Sequence, residues 1–578
     1  MGTSLKKRGR KVLRKFSRAS AKASEESKEH IKENLLQRVS HIQNIRLLIF
    51  EWVLLVTALV LLAVTQAFWF SGSYAKDDFA DGGTYTEATI GRVGSMNPLF
   101  AVTNSEKVLS KLMFTTLVAV DYSGHPGPSL AERLSYSEDG KVWTLKLRDG
   151  LLWSDGEPIT VDDVMFTLDL IQNPAVTTVF NSNLDGVKVT KNENDEIIFT
   201  LPAAYVDFAT ALNIPIVPKH ILGDVPAKTL VESDFSTKPI TSGAFTFNAK
   251  QTAGSSDEEV YYLSANPNYY LGKPMLNTFG VHTYSSKEDA VNSVNGGIVT
   301  GTAELSGADA DKITNSSYEK RNTPVQAGAY MFFNTSSGTM RNIALRKAIR
   351  QGINLTALRS AAPNNTALDY PFTNSQIMLK NYPTAVSQNF DEAYEAISEL
   401  KGDGVIKVNI ATANSGYLPA VAEELRAQLE VLGLEVNLTV YDETQDFVAN
   451  IISRRNYDIL IYEVELGYDP DPLPYYHSSQ ASASGLNLSN YRNTLVDDLL
   501  ISARGISDTE LRAKKYESFL EYWAEDVPAI GLYQVNMTYI YNKNVRPFSD
   551  NIKLVTAIDR FSDIESWATT RGVKNLTP

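Results

Sequence analysis

Nineteen consecutive residues without a charge, 52–70 (WVLLVTALVLLAVTQAFWF), constrain this chain more than any other segment. A run of that length and composition can cross a bilayer, and in lipid a lone segment satisfies its backbone groups only as a helix. Trp52 and the Phe68-Trp69-Phe70 cluster mark its ends, where aromatic rings favour the membrane interface. Before the run, residues 1–46 carry 13 Lys and Arg against 4 Glu, a net of +9, so the overall charge of −13 leaves −22 for the rest of the chain. That asymmetry orients the N-terminus toward the cytoplasm and everything after Phe70 to the outside.

The basic segment is much longer than the n-region of a signal peptide, and the apolar run exceeds an h-region, which favours an uncleaved signal-anchor. Cleavage near Thr65-Gln66-Ala67 is the alternative. The expected organisation is a basic cytoplasmic segment (1–46), a transmembrane signal-anchor (47–70) with lipid contact through 52–70, and a polar linker (71–83, SGSYAKDDFADGG) to the remainder. The basic segment could meet anionic lipid or nucleic acid. Stop-transfer and orientation already account for it, and no nucleic-acid partner is expected.

At 578 residues, 43% hydrophobic and 21% charged, the chain can build a large core, and its length suggests three or four domains. It contains no cysteine. Disulfides, thiolate metal sites, a cysteine nucleophile and lipid attachment to an N-terminal cysteine are therefore excluded.

Within residues 130–166 (LAERLSYSEDGKVWTLKLRDGLLWSDGEPITVDDVMF), Val142, Thr144, Lys146 and Arg148 alternate with Trp143, Leu145 and Leu147, the period of a half-buried strand. Asp139-Gly140 and Asp155-Gly156 supply turns on either side. Thr160 then precedes Val161-Asp162-Asp163, which reads as an N-cap with acids in the first helical turn. Further strands are predicted over 197–201, 405–410, 434–440 and 458–462. Helices are predicted over 104–114, 341–353 and 418–432, the last stopped by Gly433. The pattern is mixed α/β, without a solenoid or propeller period.

Short motifs succeed one another along the outer chain. SMNPLF (95–100) comes first, then Pro218-Lys219-His220-Ile221-Leu222 and Thr241-Ser242-Gly243-Ala244-Phe245. Asn266-Pro267-Asn268-Tyr269-Tyr270 with Gly272-Lys273-Pro274 precedes Phe333-Asn334-Thr335 and Arg346-Lys347-Ala348-Ile349. Tyr457-Asp458, Tyr468-Asp469-Pro470-Asp471-Pro472, Asn487, Tyr491-Arg492-Asn493 and Asp526-Val527-Pro528 complete the series. With the 130–166 block, this order resembles that of the family 5 extracellular solute-binding proteins, the peptide- and nickel-binding subunits of ABC importers. Ala244 and Phe245 stand where that family's turn usually has Pro and Tyr, and Glu463-Val464 stands where relatives often carry Gly-Trp.

The resemblance implies an α/β fold, two-lobed and periplasmic-binding-protein-like (type II, with an extra subdomain), after one N-terminal transmembrane helix. Lobe I would cover 84–330, including the extra subdomain at about 111–185, and lobe II 331–535. Residues 536–578 would return to lobe I and end in a tail, with the crossings near 328–334 and 531–544. Closure of the lobes would bury the ligand. The implied protein sits in the cell membrane by a single pass with its binding domain extracellular. It captures peptides and hands them to the membrane subunits of an ABC importer, as a monomer and without a cofactor.

The resemblance places binding residues around GYDPDPLPYYHSSQ (467–480). Two acids held between prolines form a rigid negative surface beside three tyrosines and a histidine, suited to a peptide's α-ammonium and its side chains. In peptide-binding relatives an acid near this loop pairs with the ligand's amino terminus, so Asp469 and Asp471 are the candidates, with Tyr468 beside them. The alternative is that Asp469 caps a turn and the prolines only stiffen the loop. Asn487 and Tyr491 line the cleft wall or fix the loop, and Asn97 lines the cleft from the first lobe or holds its own turn before Pro98. Glu463 or Glu465 would alter the charge preference. Tyr330, Phe332 and Phe333 are expected in the core.

No catalytic residues are expected: there is no G-x-S-x-G elbow, H-E-x-x-H, P-loop or Rossmann fingerprint. His30 and His41 fall on the cytoplasmic side, and His125, His220, His282 and His477 are scattered outside, which argues against a protein-built metal cage. A metal chelate, an oligosaccharide, or a transporter-independent receptor role are the competing readings.

Overall fold

The computed structural model describes residues 46–120, 125–252, 258–373, 375–442 and 447–575, together with Lys28. They fall into two compact units, residues 1–78 with 571–578 and residues 79–570. The basic segment 1–46 lies almost wholly outside the described residues.

In the first unit a single helix, Arg46–Tyr74, contains the apolar run, and Phe50–Ala67 is long and apolar enough to cross a membrane. Its side chains over 50–67 are exposed. The hydroxyls of Thr57 and Thr65 donate back to the carbonyls of Val53 (2.7 Å) and Leu61 (2.8 Å), so neither presents an unsatisfied polar group outward. The helix continues through Ser71–Tyr74, residues whose composition reads as linker. Its last turn bonds back to backbone carbonyls of the apolar run.

In the second unit the largest sheet runs through two long strands, Tyr318–Phe333 and Ala529–Asn542, paired antiparallel almost end to end. On one side lie Ile459–Glu465, Lys407–Ala413 and Glu435–Tyr441. On the other lie Gly301–Thr302, Thr84–Ile90, Thr278–Tyr284, Glu259–Ala265 and Phe245–Thr252. The pairing of the long strands shifts register between Pro324 and Gly328 and again between Ala329 and Tyr330. The hydrophobic core divides at the same place. Val325, Ala327, Met537 and Tyr539 belong to one core with residues from Tyr85 to Val281 and Val545 to Trp567, whereas Ala329 to Phe333 and Ala529 to Tyr533 belong to a second. The pair of long strands is thus shared between cores, with the bulges at the boundary between the two largest.

Local structure obeys the sequence pattern closely. Strand Val142–Leu147 buries Trp143, Leu145 and Leu147 and lies between Ala131–Tyr136 and Ile197–Thr200. Gly140 takes φ +66° in the preceding turn, where Asp139 Oδ1 accepts the Lys141 N–H at 3.1 Å. Helix Val161–Gln172 starts where Asp163 Oδ2 accepts the N–H (2.8 Å) and hydroxyl (3.1 Å) of Thr160. The other oxygen of Asp163 accepts the Lys219 N–H at 2.9 Å, which fastens the Pro218–Leu222 motif to the helix start. Helix Leu418–Val431 ends before Gly433, at φ +90°.

Other motif residues join elements distant in sequence. Asn266 donates to the Gly243 carbonyl (2.8 Å), Asn334 to the carbonyls of Arg455 and Tyr457 (3.0 Å each), and Arg346 to the carbonyls of Asp526 and Val527. These bonds explain why such residues stand at helix and strand ends: each satisfies carbonyls that regular structure leaves over.

Candidate functional site

Residues of the two lobes meet in separate sets of contacts. In one, Ser306 and Gly307 of the first lobe meet Gly416 and Tyr417 of the second; a Cβ on Gly307 would sit 3.1 Å from the Tyr417 ring. In another, residues 204–207 of the first lobe meet the Asp-Pro loop and the helices Thr494–Arg504 and Thr509–Asp526. The Gln326 N–H donates to the Val555 carbonyl (2.9 Å) and its carbonyl accepts the Leu466 N–H (2.7 Å), so one residue of the long strand is bonded to both lobes.

The Asp-Pro loop leaves strand Ile459–Glu465 and enters a short helix, Leu473–Tyr476, through Pro470 and Pro472. Both aspartates are buried, and each meets an arginine. Asp471 Oδ2 accepts Nε (2.8 Å) and Nη2 (2.5 Å) of Arg504, and its Oδ1 accepts the Leu473 N–H at 3.1 Å, capping the short helix. Asp469 Oδ1 accepts Nη2 of Arg512 at 2.5 Å. Its Oδ2, equally buried, receives no hydrogen bond. Burial, with Asp207 close by, pushes the Asp469 carboxyl up to about 8, against the pull of Arg512.

Asp469 and Tyr468 line a cavity of about 500 Å³ with Asp207 from the first lobe and Gln376, Arg512 and Glu517 from the second. Tyr468 also reaches the first lobe, its hydroxyl against His125 Nδ1 and the rings edge to face at 5.1 Å. Two further spaces lie along the junction. One of about 310 Å³ places Lys107, Lys111 and Phe180 opposite Glu465, and one of about 560 Å³ lies between Gln326, Gln534, Tyr370 and Lys553.

The remaining sequence candidates are engaged locally. Asn487 is fully buried and bonds the carbonyls of His477 (3.1 Å) and Tyr491 (2.9 Å), while its Oδ1 accepts the Tyr491 N–H. The Tyr491 hydroxyl donates to Asp526 at 2.5 Å. Asn97 is buried at the turn before Pro98, where its Oδ1 accepts the Leu99 N–H at 3.1 Å and its Nδ2 finds no acceptor. The Glu463 carboxylate accepts the Tyr533 hydroxyl at 3.1 Å. Tyr330, Phe332 and Phe333 are buried in the second core.

Sequence reasoning missed three members of the site: Asp207, Arg504 and Arg512. They come from the first lobe and from two helices after the loop, and nothing in their local sequence marks them. Among the described residues no cluster of three or more His, Asp or Glu is placed to hold a metal ion.

Comparisons with known proteins agree with this architecture. The model of bacterial extracellular solute-binding proteins, family 5 (middle), matches residues 125–486, more than half of the chain. The oligopeptide-binding protein AppA of Bacillus subtilis is 25% identical over 482 residues, covering 79% of this chain and 87% of AppA. The solved structure of AppA in complex with a nonapeptide superposes with a TM-score of 0.71 at 22% identity, covering 86% of this chain and 100% of that one. NikZ of Campylobacter jejuni, solved in complex with Ni(L-His), gives a TM-score of 0.71 at 20% identity over 84% of this chain and 99% of its own. With its two-lobed α/β fold, this chain belongs to the family 5 extracellular solute-binding proteins, the peptide- and nickel-binding subunits of ABC importers.

Proposed function

We propose that this chain is a membrane-anchored extracellular protein that captures peptides between its lobes and delivers them to the membrane subunits of an ABC importer. The observation that carries the reading is Asp469, which has one oxygen buried without a donor and lines a cavity of the second lobe that Asp207 of the first lobe borders. Burial and Asp207 keep the Asp469 carboxyl protonated up to about pH 8, and a peptide's α-ammonium supplies both the charge that would ionise it and a donor for that oxygen. Tyr468 and the apolar parts of Ile377 and Met378 offer the adjoining surface for a first side chain. Asp471, Asn487 and Tyr491 hold the loop that presents Asp469, and Asn97 holds the facing turn of the first lobe. The lobes close by rotation at the bulged pair of long strands, and helix Arg46–Tyr74 keeps the protein, as a monomer, beside its transporter.

Native mass spectrometry of the full chain, released from detergent without denaturation, tests the substrate. Bound masses in the peptide range, lost on exchange against added peptide, support the reading. A metal-chelate or sugar mass would keep the fold and replace the substrate.

A further inference from the structure

Arg512 occupies a position that the peptide reading does not require. Its side chain is only 11% exposed and rises from helix Thr509–Asp526 of the second lobe. Nη2 bonds Asp469 of the same lobe at 2.5 Å, Nε bonds the Tyr516 hydroxyl at 3.1 Å, and Nη1 pairs with Asp207 of the first lobe. One guanidinium therefore joins two carboxylates that belong to different cores, the fork geometry for which arginine is suited and lysine is not. Beside it, Arg504 lies 4.8 Å over the Tyr205 ring, and its carbonyl accepts the Val206 N–H at 3.3 Å.

We propose that Arg512 is an inter-lobe latch: its bridge from Asp469 to Asp207 holds the lobes together at the Asp-Pro loop whether or not a solute is bound. Within the second lobe the Asp469–Arg512–Tyr516 arrangement is complete without Asp207. Of the three bonds that Arg512 makes, the first-lobe arm alone would be lost on opening, together with the Arg504–Tyr205 and His125–Tyr468 contacts at the same edge. The latch sets how much of the protein is open to solute, and the apparent affinity scales with the fraction that is open beforehand.

The absence of native cysteine makes the test direct. The full chain in nanodiscs, carrying Lys188→Cys in the first lobe and Asp403→Cys in the second, both exposed, is spin-labelled and its inter-lobe distances are measured without peptide. Asp207→Asn removes the first-lobe charge at a partly exposed helix start and leaves Arg512 with Asp469. It is expected to raise the ratio of long to short distances about fivefold, the scale of a partly exposed ion pair. Arg512→Gln is expected to do the same with a lower unfolding temperature. If both variants keep the wild-type distance distribution, Arg512 is no latch. Because no peptide enters the experiment, that result would leave the substrate reading standing, and a non-peptide mass would leave the latch standing.

Discussion

Asp471 and Arg504 form a two-point ion pair, 2.8 Å from Nε and 2.5 Å from Nη2, on the same loop where Asp469 keeps one buried oxygen without a donor. Two positions apart in sequence and alike in chemistry, the two aspartates therefore have different work to do. Asp469→Asn should weaken a free-amino peptide by at least about tenfold, the scale of one charge-assisted bond, and spare its N-acetylated form. Asp471→Asn should destabilise the fold by about 1–2 kcal/mol and affect both peptides alike, since it loosens the loop. Calorimetric titration with the peptide pair decides. Equal losses from Asp469→Asn on both forms would remove Asp469 from the amine site.

The Asp469 carboxyl also predicts a pH dependence. Burial first, and Asp207 second, raise it from the ordinary carboxylate range near about 4 to about 8, while Arg512 opposes and Asp471 adds a smaller upward push. Arg504, Tyr205 and Tyr516 also face this group. The folded form binds a proton that the unfolded form releases, so the stability contributed by neutral Asp469 is fully present below about pH 4. It declines as pH rises toward about 8 and is gone above that. The unfolding temperature of wild type relative to Asp469→Asn, tracked from pH 5 to 9, should therefore fall with rising pH and level off at the top. A flat difference would contradict the assignment.

Gly243 lies in the Ser242-Gly243-Ala244 turn, and its N–H donates to the Met113 carbonyl at 2.7 Å. A Cβ there would meet the Met113 carbonyl carbon at 2.4 Å and the Leu112 oxygen at 2.6 Å, both backbone atoms that cannot swing aside. Gly243→Ala should cost about 1–3 kcal/mol by overpacking, seen in the denaturation midpoint. The turn needs glycine for close approach of helix Asn104–Met113, not for a left-handed φ.

Much of the fold was legible because local rules and tertiary contacts agree. The Thr160–Asp163 helix start, the alternation of Trp143, Leu145 and Leu147, and the stop at Gly433 are each set by neighbours a few residues away. The observed strands Lys407–Ala413, Glu435–Tyr441 and Ile459–Glu465 differ from the sequence expectation only at their ends, where pairing decides and periodicity does not. The loop acids read as a rigid negative surface in the sequence, whereas in the structure both are buried and each meets an arginine. Their cations were not legible: Arg512 is 43 residues from Asp469 and Asp207 is 305 residues from Arg512, so only the docking of the lobes joins them. The buried pair of Glu87 with Arg560 was hidden for the same reason, with 473 residues between two charges that lie in one core.

The anchor gives the last prediction. A helix of 29 residues rises about 43 Å, more than the hydrocarbon thickness of about 30 Å, and can span with some tilt. The 13 cations of residues 1–46, against 4 Glu, should keep the N-terminus inside. Proteinase K added to intact spheroplasts should then digest the outer portion and leave a protected, membrane-embedded N-terminal piece of about 70 residues, which an N-terminal epitope would report. Alkaline carbonate should leave the intact protein with the membrane pellet, since a spanning helix is held by burial and not by charge. Release into the supernatant with a new N-terminus just after Ala67 would show instead that the apolar run is a cleaved signal. Loss of the epitope with survival of the outer portion would invert the topology and rule out capture of solute outside the cell.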